Sequence, residues 1–573
     1  MLVRLAHVLP APVPHSDERA PRSTGSIGHP VGDRAVATGR SAAGVVLLTL
    51  CAGQFLMALD SSVMNVSIAT VADDLGTTIT GIQSAIVLYT LVMAMLMVTG
   101  GKIGSMIGRK RAFLLGLVIY CSGSLTTALA PNLGVLLFGW SILEGIGAAL
   151  IMPAIVALVA GNFPPEGRPR AYGLVGAAGA IAIAVGPLIG GLATTYASWR
   201  WVFAGEVLIG AGIFLFSRRV TDAPVEVRPH LDLLGSVLWA LAMGLIVTGV
   251  LKSGEWGWFL ASGDDPSILG MSPVFWLIVA GLLTLRLFGT HIRRLDEEGG
   301  EPLFTPSLIE RGLNGGLLMF FFQFVVMMGL FFVVPLFLSV ALGLSAIETG
   351  LRITPLSVTM LLAAAGVPKL FPTTSPRRIV TIGFVAVLIG VVALLGAMDA
   401  DATASIVTVP MLVIGLGLGA LASQLGSVTV SAAPEELAPE VGGLQNTASQ
   451  FGASLGTALA GSVLIAALTT SFLSGIAANP EVPREVADQA NVELASGVPF
   501  ISDADLGSAL QEAGVDDQSA DAVLEDYGSA RVDGLRTALA LLAIFAVIAL
   551  FFTRRVPDQQ PVSAETIHGS SAG

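Results

Sequence analysis

The sequence predicts an all-α integral membrane protein with fourteen transmembrane helices, and three observations lead there. Of the 573 residues 54% are hydrophobic and only 12% charged, about half the charged share of a soluble domain, which excludes an ordinary cytosolic protein. Apolar runs of about 20 residues recur throughout, each long enough to cross a ~30 Å hydrocarbon core as a helix. Charge placement supplies the third. With an even number of spans and both termini in the cytoplasm, 23 of the 29 Lys and Arg residues fall inside, as the positive-inside rule requires. Only Arg200, Lys252, Arg352, Arg484, Arg531 and Arg536 fall outside, and an odd count would scramble the pattern.

In chain order, residues 1–41 are rich in Pro, Ser, Gly and Arg and read as a disordered cytoplasmic tail. Six spans follow near 45–69, 82–101, 112–130, 133–158, 172–196 and 200–217. Spans 7 and 8, near 233–251 and 273–290, are separated by the polar, Trp-bearing stretch from Lys252 to Asp265. Six more lie near 315–340, 350–369, 378–398, 404–430, 441–469 and 532–552, before a cytoplasmic tail at 556–573. The net charge of -12 belongs almost wholly to one place. Between Glu481 and Asp533 stand thirteen acids against Arg484 and Arg531, so the acidic balance describes an extracytoplasmic loop, 475–531, expected to be partly helical or disordered. It points to no nucleic-acid partner. Cys51 and Cys121 lie inside apolar runs as small buried hydrophobes, and no Cys/His cluster suggests a disulfide, a metal or a cofactor.

Within the spans, a few polar residues stand out. Asp60 lies in the first apolar run, followed by Ser61, Ser62 and Asn65; a carboxylate near mid-bilayer costs roughly 3 kcal/mol even on the lenient insertion scale, so Asp60 should face a polar interior. Glu144 in span 4 and Glu206 in span 6 raise the same question. Glu206 either joins the other acids, lies at a span end in water, or pairs with Arg200. The three carboxylates offer a proton or cation site. Gln54, Gln83, Gln323, Gln424, Gln445 and Gln450 either line a path or bond between helices. Gly415, Gly417 and Gly419 lie within a span with no strand before them, which reads as packing and not as a nucleotide loop.

Several stretches together resemble the major facilitator superfamily, in its fourteen-span drug:proton antiporter branch. After span 2, the family's G-x-L-A-D-R-x-G-R-K is matched at Gly101, Gly108, Arg109 and Lys110, with Ser105 and Met106 replacing its acidic residue and first arginine. Leu59 to Ser67 is similar to L-D-x-T-x-x-N-x-A, and Gly186-Pro187-Leu188-Ile189-Gly190-Gly191 to the antiporter motif G-P-x-x-G-G, followed by Trp199-Arg200-Trp201-Val202-Phe203. Departures share one direction: Ser141 and Ser449 stand for arginines, Glu144 for glutamine and Glu206 for asparagine, so cations are removed and anions added.

The resemblance implies two six-helix halves, 42–220 and 301–555, with two extra helices in 221–300, rocking around a midplane site. It implies a cavity lined by spans 1, 4, 9 and 12, with Gln54, Asn65, Gln323 and Gln424 toward substrate and Asp60, Glu144 and Glu206 toward a coupling proton or cation. Gly101, Gly108, Arg109, Lys110, Gly186, Pro187, Gly190 and Gly191 become conformational motifs. The protein so implied is a monomeric, cofactor-free bacterial plasma-membrane carrier among lipids, not an enzyme, exporting small amphipathic compounds in exchange for protons. Two alternatives stay open: a lipid or metabolite carrier with different or no proton coupling, and a non-transporting sensor or assembly protein that uses the acidic outer segment as a partner surface.

Overall fold

Among the described residues fourteen helices carry the apolar runs, and side chains at their starts fix where several begin. Thr78, Asn132, Asp232 and Ser375 each accept the backbone N–H three residues on, and Ser345 with Glu348 forms a capping box, the two-way arrangement that satisfies otherwise orphaned amides. The computed structural model describes residues 32–164, 167–222, 230–260, 267–308, 313–399, 402–431, 438–484, 487, 490, 494 and 497–558. Spans 1 to 8 are Ala43–Asp74, Ile79–Ile107, Arg109–Ala128, Leu133–Asn162, Arg170–Tyr196, Arg200–Arg219, Leu233–Trp256 and Pro273–Glu297. Spans 9 to 14 are Asn314–Ala341, Ala346–Leu370, Pro376–Ala397, Ala404–Gly426, Glu440–Ala478 and Asp517–Arg555.

Spans 1–6 pack together as one half and spans 9–14 as the other, while spans 7 and 8 pair with each other and lie against spans 2 and 13. The halves meet along two seams, span 5 on span 10 and span 2 on span 13. At the end of the bundle holding the odd-numbered connections, here the odd end, both seams are closed. The Ile347 amide donates to Thr195 Oγ1 at 3.1 Å, and Gln83 Nε2 donates to the Thr457 and Ala458 carbonyls at 3.1 and 3.4 Å. At the even end, Lys102 reaches Glu301 at 3.8 Å, and Glu440 accepts from the Thr305 amide and hydroxyl.

Two boundaries differ from the sequence reading. The first helix already runs from Gly32, inside the expected tail 1–41, of which residues 1–31 lie outside the described residues. The acidic loop is also shorter than 475–531, because span 13 continues to Ala478 and the last helix starts at Asp517. Hydropathy ends a helix where its apolar run ends, but here polar pairs hold the two helices together beyond that point. Ser471 donates to Asp533 at 3.0 Å and Asn479 to Asp526 at 2.8 Å, with Phe472 edge-on to Tyr527. Between them Asp503–Glu512 forms a short helix with its own capping box. Of the C-terminal tail, residues 559–573 lie outside the described residues, and its start is tied down by Arg377, which binds the Val556 carbonyl and Asp558.

Candidate functional site

Span 4 changes its winding where the site lies. It starts as an α-helix at Leu133–Leu136, becomes a π-helix over Leu137–Glu144, and returns to α at Gly145. Such segments are rare and recur at functional sites. Trp140 and Glu144 both belong to this segment and are fully buried. Span 3 presses directly on it, at a distance only glycine permits. A Cβ at Gly123 would lie 2.6 Å from Glu144 Cγ and 2.6 Å from the Gly139 carbonyl oxygen.

Glu144 meets Asp60 of span 1 and Glu206 of span 6. Each offers a carboxylate oxygen, all within 4.8 Å of one another, and each residue is at most 1% exposed. Hydroxyl and indole donors from neighbouring helices orient the groups. Trp140 Nε1 donates to Asp60 Oδ1 at 2.8 Å, while Tyr120 and Ser124 donate to Glu206 Oε2 at 3.0 and 2.7 Å. Thr127 Oγ1 lies 3.2 Å from Glu144 Oε1 and 2.9 Å from the Gly123 carbonyl. That hydroxyl has a single proton, and a carbonyl can only accept; when the proton goes to Gly123, the contact with Glu144 is a hydrogen bond if the carboxyl donates. Glu144 Oε2 and Glu206 Oε1 are buried with no hydrogen-bond partner among the described residues, and the Tyr89 hydroxyl is buried beside Asp60. Tyr89 stacks on Trp140 with ring centroids 5.2 Å apart.

Among the described residues, the charged neighbours acting on the three acids are one another, with no Lys, Arg or His among them. At an effective dielectric of about 20, two unit charges 4.8 Å apart repel by roughly 3 kcal/mol. Three such pairs would approach the whole stability of a typical fold. The triad therefore cannot be fully ionised without a bound positive charge, and an all-oxygen donor set suits protons and hard cations.

Other expected residues are placed elsewhere. Arg200 does not meet Glu206: it pairs with Asp74 and donates to the Ala130 carbonyl, and Glu206 is 1% exposed and so does not lie in water. Gln323 and Gln424, on spans 9 and 12, are buried in the other half, apart from the triad. Gln424 donates to Ser423 Oγ at 3.4 Å. Gln54 faces span 5 at Gly179, and Asn65 donates to the Ser61 carbonyl at 2.7 Å. Ser141, standing for the family's arginine, ties span 4 to span 2 through the Ala85 carbonyl at 2.8 Å. In the loop after span 2, Gly108 turns at φ +100°. The Arg109 and Lys110 amides donate to Asp222, at 3.1 and 3.2 Å, and Arg109 donates to the Ala157 carbonyl. An acid after span 6 thus caps the turn whose own acidic position is Ser105.

Within the glycine motif, Gly186 and Gly190 lie against Ser62 and Val63 of span 1, and Gly191 against Ala346 and Ile347 of span 10. Sequence reasoning passed over Tyr89, Tyr120, Ser124, Thr127 and Trp140. Three of these carry a signal, since Tyr120, Ser124 and Thr127 recur at helical spacing as one polar stripe in an apolar helix.

Two helical halves closed at one end around seams, with an acid cluster buried inside one half, define a membrane carrier. The family model for the Major Facilitator Superfamily matches residues 50–457, and the chain belongs to that superfamily. Among curated relatives, the tetracenomycin C resistance and export protein of Streptomyces glaucescens is 29% identical over 92% of this chain and 95% of its own length. The puromycin resistance protein pur8 of Streptomyces alboniger is 31% identical over 76% of this chain and 84% of its own. Among solved structures, a bacterial homolog to the human lysosomal transporter Spinster, inward-facing and unoccupied, superposes with a TM-score of 0.57. It is 16% identical and covers 90% of this chain and 98% of its own. The protein is a transporter of small compounds and not an enzyme.

Proposed function

We propose that the protein exports small amphipathic compounds across the bacterial plasma membrane by exchange with protons carried on Asp60, Glu144 and Glu206. The observation that carries this reading is the buried triad itself: three carboxylates within 4.8 Å, with no basic side chain among the described residues that acts on them. Relatives named for resistance and export support the direction. On this reading both termini are cytoplasmic, and the odd end faces outward.

The packing offers a route from proton to seam. Adding or removing a proton changes the repulsion among spans 1, 4 and 6. Span 1 contacts Gly186 and Gly190 of span 5, and Gly191 of that span contacts span 10. Span 4 holds span 2 through Ser141, and span 2 holds span 13 through Gln83. Each seam is therefore linked to the triad through one intervening helix, a contiguous chain of packed contacts along which coupling can travel. Opening at the odd end must part both seams, as rocking of the halves requires.

Everted vesicles from cells expressing the protein should accumulate an amphipathic dye such as ethidium, and a protonophore should abolish that accumulation. Accumulation that survives the protonophore contradicts proton exchange. Unaltered transport by an Asp60→Asn, Glu144→Gln variant contradicts the role of the triad.

A further inference from the structure

A cavity of about 330 Å³ lies at the odd end, where span 2, the end of span 7, span 13 and the acidic segment come together. Its volume falls at the lower edge of ligand pockets, room for a mono- or bicyclic molecule. Its floor is the span 2 to span 13 seam. Gln83 lies against Gly461, and span 7 touches span 13 where a Cβ at Gly254 would lie 2.8 Å from the Ser462 carbonyl oxygen. The roof is the segment Gly497 to Pro499, turned by Gly497 at φ +132°. It is pinned by Val498 N donating to Thr469 Oγ1 at 2.9 Å and by the Tyr527 hydroxyl donating to the Pro499 carbonyl at 2.8 Å. Gly497 to Pro499 are thus held to the second half while lining a cavity that residues of the first half also line.

One wall carries recognition chemistry. Trp256 supplies an aromatic face and Glu255 is the acid among the lining residues. A cation already uses both: Lys252 Nζ lies 5.6 Å from the Trp256 ring centroid and 2.7 Å from Glu255 Oε2. Lys252 and Glu255 side chains are each 36% exposed, and an exposed pair of this kind contributes little, so an incoming cation displaces the lysine at small cost. Thr80 and Ser462 add hydroxyls on opposite sides of the seam.

We infer that this cavity is a second small-molecule site, outside the buried triad, for an aromatic or alicyclic cation held by Trp256 and Glu255 beneath Gly497 to Pro499. A ligand there touches both halves, so it binds the closed odd end better than the open one and must hold the carrier closed. The inference deepens the export reading, on which the site faces outward and senses exported cations from the far side.

The test is thermal unfolding of the purified full-length protein with benzyltrimethylammonium as probe and benzyl alcohol as the neutral control. Saturable stabilisation by the cation and none by the alcohol is expected. Glu255→Gln and Trp256→Leu should each weaken the apparent affinity severalfold, as an exposed ion pair or aromatic contact permits, and Thr80→Trp, which fills the cavity from a half-exposed position, should abolish the effect. Equal stabilisation of the wild type and all three variants, or no saturable effect on the wild type, overturns the inference. Asp60→Asn, Glu144→Gln should bind the probe as the wild type does, so loss of proton exchange in that variant with binding intact separates the two claims. Loss of probe binding in that variant overturns the assignment of the cation to this cavity.

Discussion

Replacing Gly123 with alanine tests the site where its geometry is tightest. The new Cβ would lie 2.6 Å from Glu144 Cγ, 2.6 Å from the Gly139 carbonyl oxygen and 2.8 Å from the Glu144 amide nitrogen. Carbon atoms pack best at about 3.5–4.0 Å, so span 4 must retreat from span 3 by roughly 1 Å. Two of the three obstacles are backbone atoms, and no rotamer change relieves them. Overpacking of this kind costs about 1–3 kcal/mol, and the retreat carries Glu144 and Trp140 away from Asp60 and Glu206. A 1 Å misplacement at a reacting centre costs up to about 10²-fold, and proton-coupled transport should fall towards that limit. Gly173→Ala is the control, because a Cβ there meets nothing within 4 Å. The assay is the apparent unfolding midpoint in detergent together with ethidium uptake into everted vesicles. Gly123→Ala should lower both and Gly173→Ala neither; a Gly123→Ala protein as stable and active as the wild type refutes the tight span 3 to span 4 contact.

Gly350→Ala places a Cβ against the Pro187 carbonyl across the span 5 to span 10 seam and should bias the carrier towards an open odd end. Thr457→Cys, buried beside Gln83 at the other seam, should then react faster with an impermeant maleimide, and unchanged labelling counts against coupled seams. Tyr527→Phe removes the hydroxyl that serves the Pro499 carbonyl and the Ile501 amide. Leaving those groups unpaired costs about 1–3 kcal/mol locally, so limited proteolysis between residues 479 and 516 should accelerate while transport persists. Asp222→Ala removes the acceptor for the Arg109 and Lys110 amides and should cost about 1 kcal/mol, as losing an N-cap does. Faster hydrogen exchange at residues 108–112 is the readout, and unchanged exchange argues against the cap.

The fold was legible because a membrane helix must satisfy its own backbone and be apolar over a fixed length, which a single sequence displays directly. The helix extensions at Ala478 and Asp517 were not, since they rest on Ser471, Asn479, Asp526 and Asp533 pairing between helices and not on hydropathy. Asp60 and Glu144 were legible in the sequence as acids out of place that form one proton- or cation-accepting cluster, with Glu206 left open. The geometry of that cluster and the membership of Glu206 were not legible, because they depend on the span 3 to span 4 contact at Gly123 and on the π segment Leu137–Glu144, and neither has a local sequence signature. For Glu206, proximity in sequence suggested Arg200. Asp74 takes that arginine instead, from the end of span 1.

The central claim is that the triad carries the exchanged proton, and reconstituted vesicles test it most directly. An imposed pH gradient, with no other energy source, should drive ethidium movement through the wild type with a matching movement of protons. Asp60→Asn, Glu144→Gln, Glu206→Gln should bind ethidium yet show neither movement under the gradient. Proton-coupled ethidium transport by that triple variant at the wild-type rate contradicts the account.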